Sequence, residues 1–85
     1  MKIKLLYFAW LRQEIGNTGE ELDLPADVTT VEELMTFLRG RGGGYAQAFA
    51  EDAVLRAGVN KKVVDTTQML REGDEVAFFP PFTGG

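Results

Sequence analysis

Thr30-Val31-Glu32-Glu33-Leu34-Met35-Thr36-Phe37-Leu38-Arg39-Gly40 carries the one long helical pattern in the sequence. Val31, Leu34, Met35 and Leu38 recur at i, i+3, i+4 and i+7, which gathers the apolar side chains into a single stripe. Thr30 and Glu33 have the spacing of a capping box, in which the Thr30 hydroxyl accepts from the Glu33 amide and the Glu33 carboxylate reaches back to the Thr30 amide. Gly40 and the run Gly42-Gly43-Gly44 stop the helix, after which Tyr45 to Ala50 can add a further turn or two. A helix with one apolar stripe needs one layer to cover it, so the segments on either side decide the architecture.

Upstream, Lys2 to Phe8 alternate as a strand, with Ile3, Leu5 and Tyr7 on one face and Lys2, Lys4, Leu6 and Phe8 on the other. The second face turns apolar at Leu6 and Phe8, so it is either covered or offered to another protein. Trp10 to Ile15 reads as a short helix ended by Gly16-Asn17. Glu20 to Leu24 reads as a strand with Leu22 and Leu24 inward, closed by Pro25 and antiparallel to the first. Downstream, Leu55, Ala57 and Val59 alternate into a turn at Asn60-Lys61-Lys62 and a short strand at Val63-Val64. Arg71-Glu72-Gly73-Asp74 turns the chain into a last strand, Glu75 to Phe79, with Val76 and Phe78 on one face and Glu75, Ala77 and Phe79 on the other. The expected fold class is α+β: a mixed sheet of four to five strands with one main helix packed on one face, a β-grasp. A right-handed crossover lays that helix against Ile3, Leu5, Val76 and Phe78.

Pro80-Pro81 end strand pairing, because neither donates an amide and Pro81 keeps Pro80 extended. The domain is therefore expected to span residues 1–81, with residues 82–85 as a flexible tail. From Pro80 to the end, extended backbone reaches about 20 Å. Glycine at positions 84 and 85 strips side chains from the last stretch, so it can thread a narrow channel. A free carboxylate on Gly85 is an anion at neutral pH and a poor electrophile, so its use as an acyl group requires prior activation. Gly85 is the expected reacting group, Thr83 and Gly84 give it access, and Pro80-Pro81 direct the tail. Phe79 and Phe82, with Leu6 and Phe8, are the expected apolar anchors on a partner.

The chain has 85 residues, neither cysteine nor histidine, and a net charge of −4. One domain is expected. Without Cys and His, disulfides, imidazole acid-base catalysis, thiolate nucleophiles and nearly all zinc sites are excluded, and no metal site is expected. The acidic balance disfavours nucleic acid and anionic membrane and suits a partner with a basic face. No leader-like or membrane-spanning run is present in the sequence, which points to the cytoplasm. The glycines after Arg41 lack both the Gly-Lys-Ser/Thr ending and the preceding strand of a phosphate loop, so they read as a helix terminator.

Taken together, Leu5-Leu6-Tyr7-Phe8-Ala9 followed by Arg12-Gln13-Glu14, Thr30-Val31-Glu32-Glu33-Leu34, Val59-Asn60, and Gly73-Asp74-Glu75-Val76-Ala77-Phe78-Phe79-Pro80-Pro81 leading to Gly84-Gly85 resemble the small subunits of molybdopterin synthase. These belong to the ubiquitin-like sulfur-carrier superfamily, and the resemblance spans the whole chain. It implies a non-catalytic subunit with no permanently bound cofactor. A ubiquitin-activating-like adenylyltransferase would use Mg-ATP to adenylate Gly85, and a sulfur donor enzyme would convert it to a thiocarboxylate. The large subunit would supply the catalytic side chains for sulfur transfer to cyclic pyranopterin monophosphate, within a heterotetramer. Family tails often have a small aliphatic residue where this chain has Phe82, which asks for a roomier channel or a ring seated at its mouth. Carriers for thiamine thiazole synthesis or tRNA thiolation, protein modifiers that form isopeptides, and pure interaction modules share the fold, and the Phe78-Phe79-Pro80-Pro81 block favours the molybdopterin reading.

Overall fold

The capping box closes as its spacing requires. In the computed structural model, which describes residues 1–81, the Thr30 hydroxyl accepts from the Glu33 amide at 3.2 Å. The Glu33 carboxylate accepts from the Thr29 and Thr30 amides at 2.8 and 3.1 Å and from the Thr29 hydroxyl at 2.8 Å. The Thr29 amide and hydroxyl are the main cause holding the Glu33 carboxyl below its ordinary range. Helix Val31–Arg39 follows, with Val31, Leu34 and Leu38 buried.

In chain order the elements are β1 (Lys2–Tyr7), α1 (Trp10–Ile15), β2 (Gly19–Asp23), α2 (Val31–Arg39), α3 (Gly43–Ala48), β3 (Arg56–Val59), β4 (Lys62–Val64) and β5 (Glu75–Phe79). The sheet has five strands in the order β2-β1-β5-β3-β4. β1 and β5 lie parallel at its centre, and β2, β3 and β4 pair antiparallel with their neighbours. Ile3, Leu5 and Tyr7 of β1 and Val76 and Phe78 of β5 share one buried cluster with Val31, Leu34 and Leu38 of α2. The expected α+β β-grasp, with one main helix on one sheet face, is the fold observed. Phe49, just past α3, completes the aromatic centre, its ring edge-on to Phe78 at 5.0 Å and to Tyr7 at 6.4 Å.

Two local readings are corrected. The hairpin turn is Asn60-Lys61 alone, both at positive φ of 51° and 70° as a two-residue turn of this kind demands. Lys62 therefore belongs to β4, opposite Val59. The second correction concerns the glycine run, which is more than a terminator: α3 begins inside it, at Gly43. A Cβ on Gly44 would lie 1.8 Å from the Glu14 carbonyl oxygen, so glycine is what lets α3 close on the end of α1.

A charged group missed by the strand reading sits on the inward face of β2. Glu20 is opposite Leu5, and its carboxylate accepts from the Tyr7 hydroxyl at 2.9 Å, from the Tyr45 hydroxyl, and from Arg41 at 3.1 Å. Burial pushes its carboxyl up, but the bonds from Tyr45, Tyr7 and Arg41 outweigh burial and hold it below the ordinary 4.5. Burial and the Glu20 charge push the Tyr7 hydroxyl well above its usual range. A depressed folded pKa means that Glu20 contributes stability above its unfolded value and loses it as pH falls through the folded one. Glu20→Gln is expected to cost roughly 1–2 kcal/mol at pH 7. It should also make the acid limb below about pH 5 shallower, since Glu33 and Asp65, likewise depressed, keep the remainder. Urea melts of both proteins across pH measure this, and parallel limbs would contradict it.

Candidate partner-binding face

Alternation leaves the sheet with an outer face that α2 does not cover. The register divides that face in two. One half is ionic: Lys2 stands opposite Asp23, and Lys4 lies between Glu21 and Glu75, with Lys4 Nζ 4.0 Å from the Glu75 carboxylate. The other half is apolar or small. Across five strands, Gly19, Leu6, Ala77, Gly58 and Val63 stand in one row. Ala77 and Gly58 in the middle keep it low, while Val63 is 66% exposed at its edge.

The next row is Phe8, Phe79 and Arg56. The Phe8 amide donates to the Phe78 carbonyl at 3.1 Å, and Arg56 is the direct partner of Phe79. Here β5 ends and the chain leaves through Pro80-Pro81, both half-buried. The apolar half of the face thus adjoins Pro80-Pro81, where the described residues end.

Of the site residues read from sequence, Leu6, Phe8, Phe79, Pro80 and Pro81 come together here. Leu6 and Phe79 are half-buried, Phe8 is 38% exposed, and none of the three belongs to the core cluster. Phe82, Thr83, Gly84 and Gly85, and with them the expected tail, lie outside the described residues. Val63, Gly58 and Ala77 were not singled out from sequence, although Val63 is Gly58's partner once the two-residue turn sets the register.

Ala9, directly after this face, has φ 57° and ψ −138°, a region that L side chains rarely adopt. It forms a tight turn in which the Leu11 amide donates to the Phe8 carbonyl at 3.3 Å, and Trp10 beyond it is 42% exposed. The edge of the face at Phe8 is thus bounded by a strained turn that the surrounding structure holds in place.

No group of three or more His, Cys, Asp or Glu side chains among the described residues is placed to hold a metal. A groove of about 500 Å³ along α2 is lined by Asp27, Glu32 and Glu33 around Pro25, Val28, Thr36 and Phe37, and its charge would repel nucleotide phosphates. No helix among the described residues is long and apolar enough to cross a membrane.

The model of the ThiS family matches residues 5–85. The chain belongs to the ThiS family. A curated relative of this ThiS-family chain, the molybdopterin synthase sulfur carrier subunit of Escherichia coli (strain K12), is 43% identical over 83 residues, covering 98% of this chain and 99% of the relative. Among solved structures, one described as molybdopterin converting factor, subunit 1, from Pyrococcus furiosus superposes with a TM-score of 0.79 at 31% identity, covering 96% of this chain and 99% of that one. A chain in a protein-protein complex of subunits 1 and 2 of molybdopterin-converting factor from Helicobacter pylori 26695 has a TM-score of 0.68 at 19% identity, with both chains fully covered. At that identity the likeness shows the ThiS-family fold alone.

Proposed function

We propose that this chain is the sulfur carrier of a molybdopterin synthase, with Gly85 as the carrying residue. The observation that carries this reading is the end-to-end similarity, at 43% identity, to a molybdopterin synthase sulfur carrier subunit. The geometry adds support, because the exposed apolar half-face adjoins the point where the chain departs toward Gly85. The Gly85 carboxylate attacks ATP on an activating adenylyltransferase, releasing pyrophosphate and leaving an acyl adenylate. A donor enzyme then delivers sulfur at the sulfide level, which displaces AMP and leaves a thiocarboxylate. ATP and its Mg²⁺ belong to that partner, and the chain itself holds no cofactor.

In the second half of the cycle the large synthase subunit receives the tail, and the thiocarboxylate gives its sulfur to cyclic pyranopterin monophosphate while water takes the acyl carbon, returning Gly85 to a carboxylate. A chain without Cys or His offers neither a thiolate nor an imidazole base, which favours assigning the side-chain catalysis to the large subunit; in this reading the chain is a non-catalytic, cytoplasmic subunit of a heterotetramer. The test is intact mass after incubation with Mg-ATP, the activating enzyme and a sulfur donor. A gain of about 16 Da, oxygen replaced by sulfur, is the expected result. An unchanged mass with demonstrably active partners would overturn the reading.

Phe79 lies on the half-face outside the core cluster, so its ring is available to a partner. Phe79→Ala is expected to weaken binding to the large subunit by about 2 kcal/mol, roughly 30-fold, with little change in melting. Calorimetric titration alongside thermal melts separates the two effects, and a collapse in melting would reassign Phe79 to the core.

A further inference from the structure

The row at the tail's root ends in a cation on each side. Arg56 is exposed, and because Ala57 faces the core, Arg56 projects on the outer face beside Phe79. On the other side the Arg12 guanidinium carbon lies 5.3 Å from the Phe8 ring centre. Its Nε donates to the Tyr7 carbonyl at 2.8 Å, which fixes the stack. Neither arginine forms an ion pair among the described residues. The lysines at the opposite end of the face all stand beside carboxylates. In a chain of net charge −4, the root of the tail is thus a local cationic rim.

We infer that Arg56 and Arg12 form a carboxylate-reading clamp at the root of the tail, and that the large subunit receiving the tail presents acidic side chains on the rim of its channel, one toward each guanidinium. The inference rests on the proposed sulfur-carrier function and names the chemistry of its partner's surface. A guanidinium suits the task because it pairs with a carboxylate through two parallel N–H bonds. Arg12 is already held by the Phe8 ring and the Tyr7 carbonyl, so little side-chain freedom remains to be lost on binding. Net charge alone suits a basic face, but the two arginines reverse that sign locally: an acidic rim would repel most of this chain's surface and attract this end of it, so the approach is biased toward the orientation that delivers the tail.

The experiment measures binding of the full chain to the purified large subunit of the source organism's synthase by surface plasmon resonance, at about 50 mM and about 500 mM NaCl. The unaltered chain is expected to associate more slowly at high salt. Arg56→Glu should weaken binding by about 10-fold or more at low salt, chiefly through slower association, and should flatten the salt dependence. Arg56→Lys should retain most of the salt dependence while dissociating faster. Thermal melts confirm that each variant is folded, as expected for an exposed position. Salt-insensitive binding by the unaltered chain, or an Arg56→Glu affinity within about twofold of it, overturns the clamp and leaves the carrier reading standing. Failure of the unaltered chain to bind at all overturns both.

Discussion

A chain shortened to end at Gly84 is expected to melt with the full-length protein and to acquire no sulfur. Stability should be unaffected because, among the described residues, every member of the buried core lies between Ile3 and Phe78. Activation should be lost, on the proposed role of Gly85, because the terminal carboxylate retreats by one extended residue, about 3.3 to 3.6 Å. Displacements of about 1 Å in a reacting group already cost on the order of 100-fold, so a retreat of this size leaves the carboxylate out of reach of the nucleotide. Intact-mass spectrometry reads the result directly: the full chain should gain about 16 Da under activating conditions, and the shortened one should keep its mass. Sulfur on the shortened chain would show that Gly85 is not the carrying residue.

Gly44→Ala should be the most damaging single methyl in the domain. Its Cβ would stand 1.8 Å from the Glu14 carbonyl oxygen and 2.7 Å from the carbonyl carbon, and backbone cannot yield as a flexible side chain can. Either α3 lifts from α1 or both helices shift, with a destabilisation of about 3 kcal/mol at the upper end of overpacking costs. For a domain of this size that corresponds to a fall in Tm of roughly 12 to 24 °C. Gly43→Ala supplies the contrast. Gly43 has φ +54° and nothing within 4 Å of its would-be Cβ, so that substitution carries the backbone penalty alone, about 1 kcal/mol. Equal melting losses in the two variants would mean that the contact with Glu14 is not what demands glycine.

The architecture was legible because its signals are local. The Thr30–Glu33 cap, the i, i+3, i+4 stripe of α2, the alternation of β1 and β5 and the proline stop after Phe79 each involve residues within a few positions of one another. Leu6, Phe8 and Phe79 could be assigned to the uncovered face by the same alternation. What escaped depends on pairing across distance. Glu20 falls on the inward side with Leu22, and a carboxylate there needs partners, yet nothing near it in sequence identifies Tyr7, Arg41 and Tyr45 as those partners. Gly44 reads as a helix stop until α3 is seen closing on Glu14. The low row through Ala77 and Gly58 to Val63, and the place of Arg56 beside Phe79, follow from strand register, which the two-residue turn at Asn60-Lys61 sets.

The division of the outer face into an ionic half and an apolar half has a consequence for traffic through the proposed cycle. The apolar half ends at Pro80-Pro81, so it offers one berth, and in the proposed cycle proteins that need both the berth and Gly85 would have to take turns. Activating enzyme and large subunit would then act as competitive inhibitors of one another. An excess of either would slow sulfur delivery by holding the carrier at one stop, so throughput depends on rapid departure as much as on tight docking.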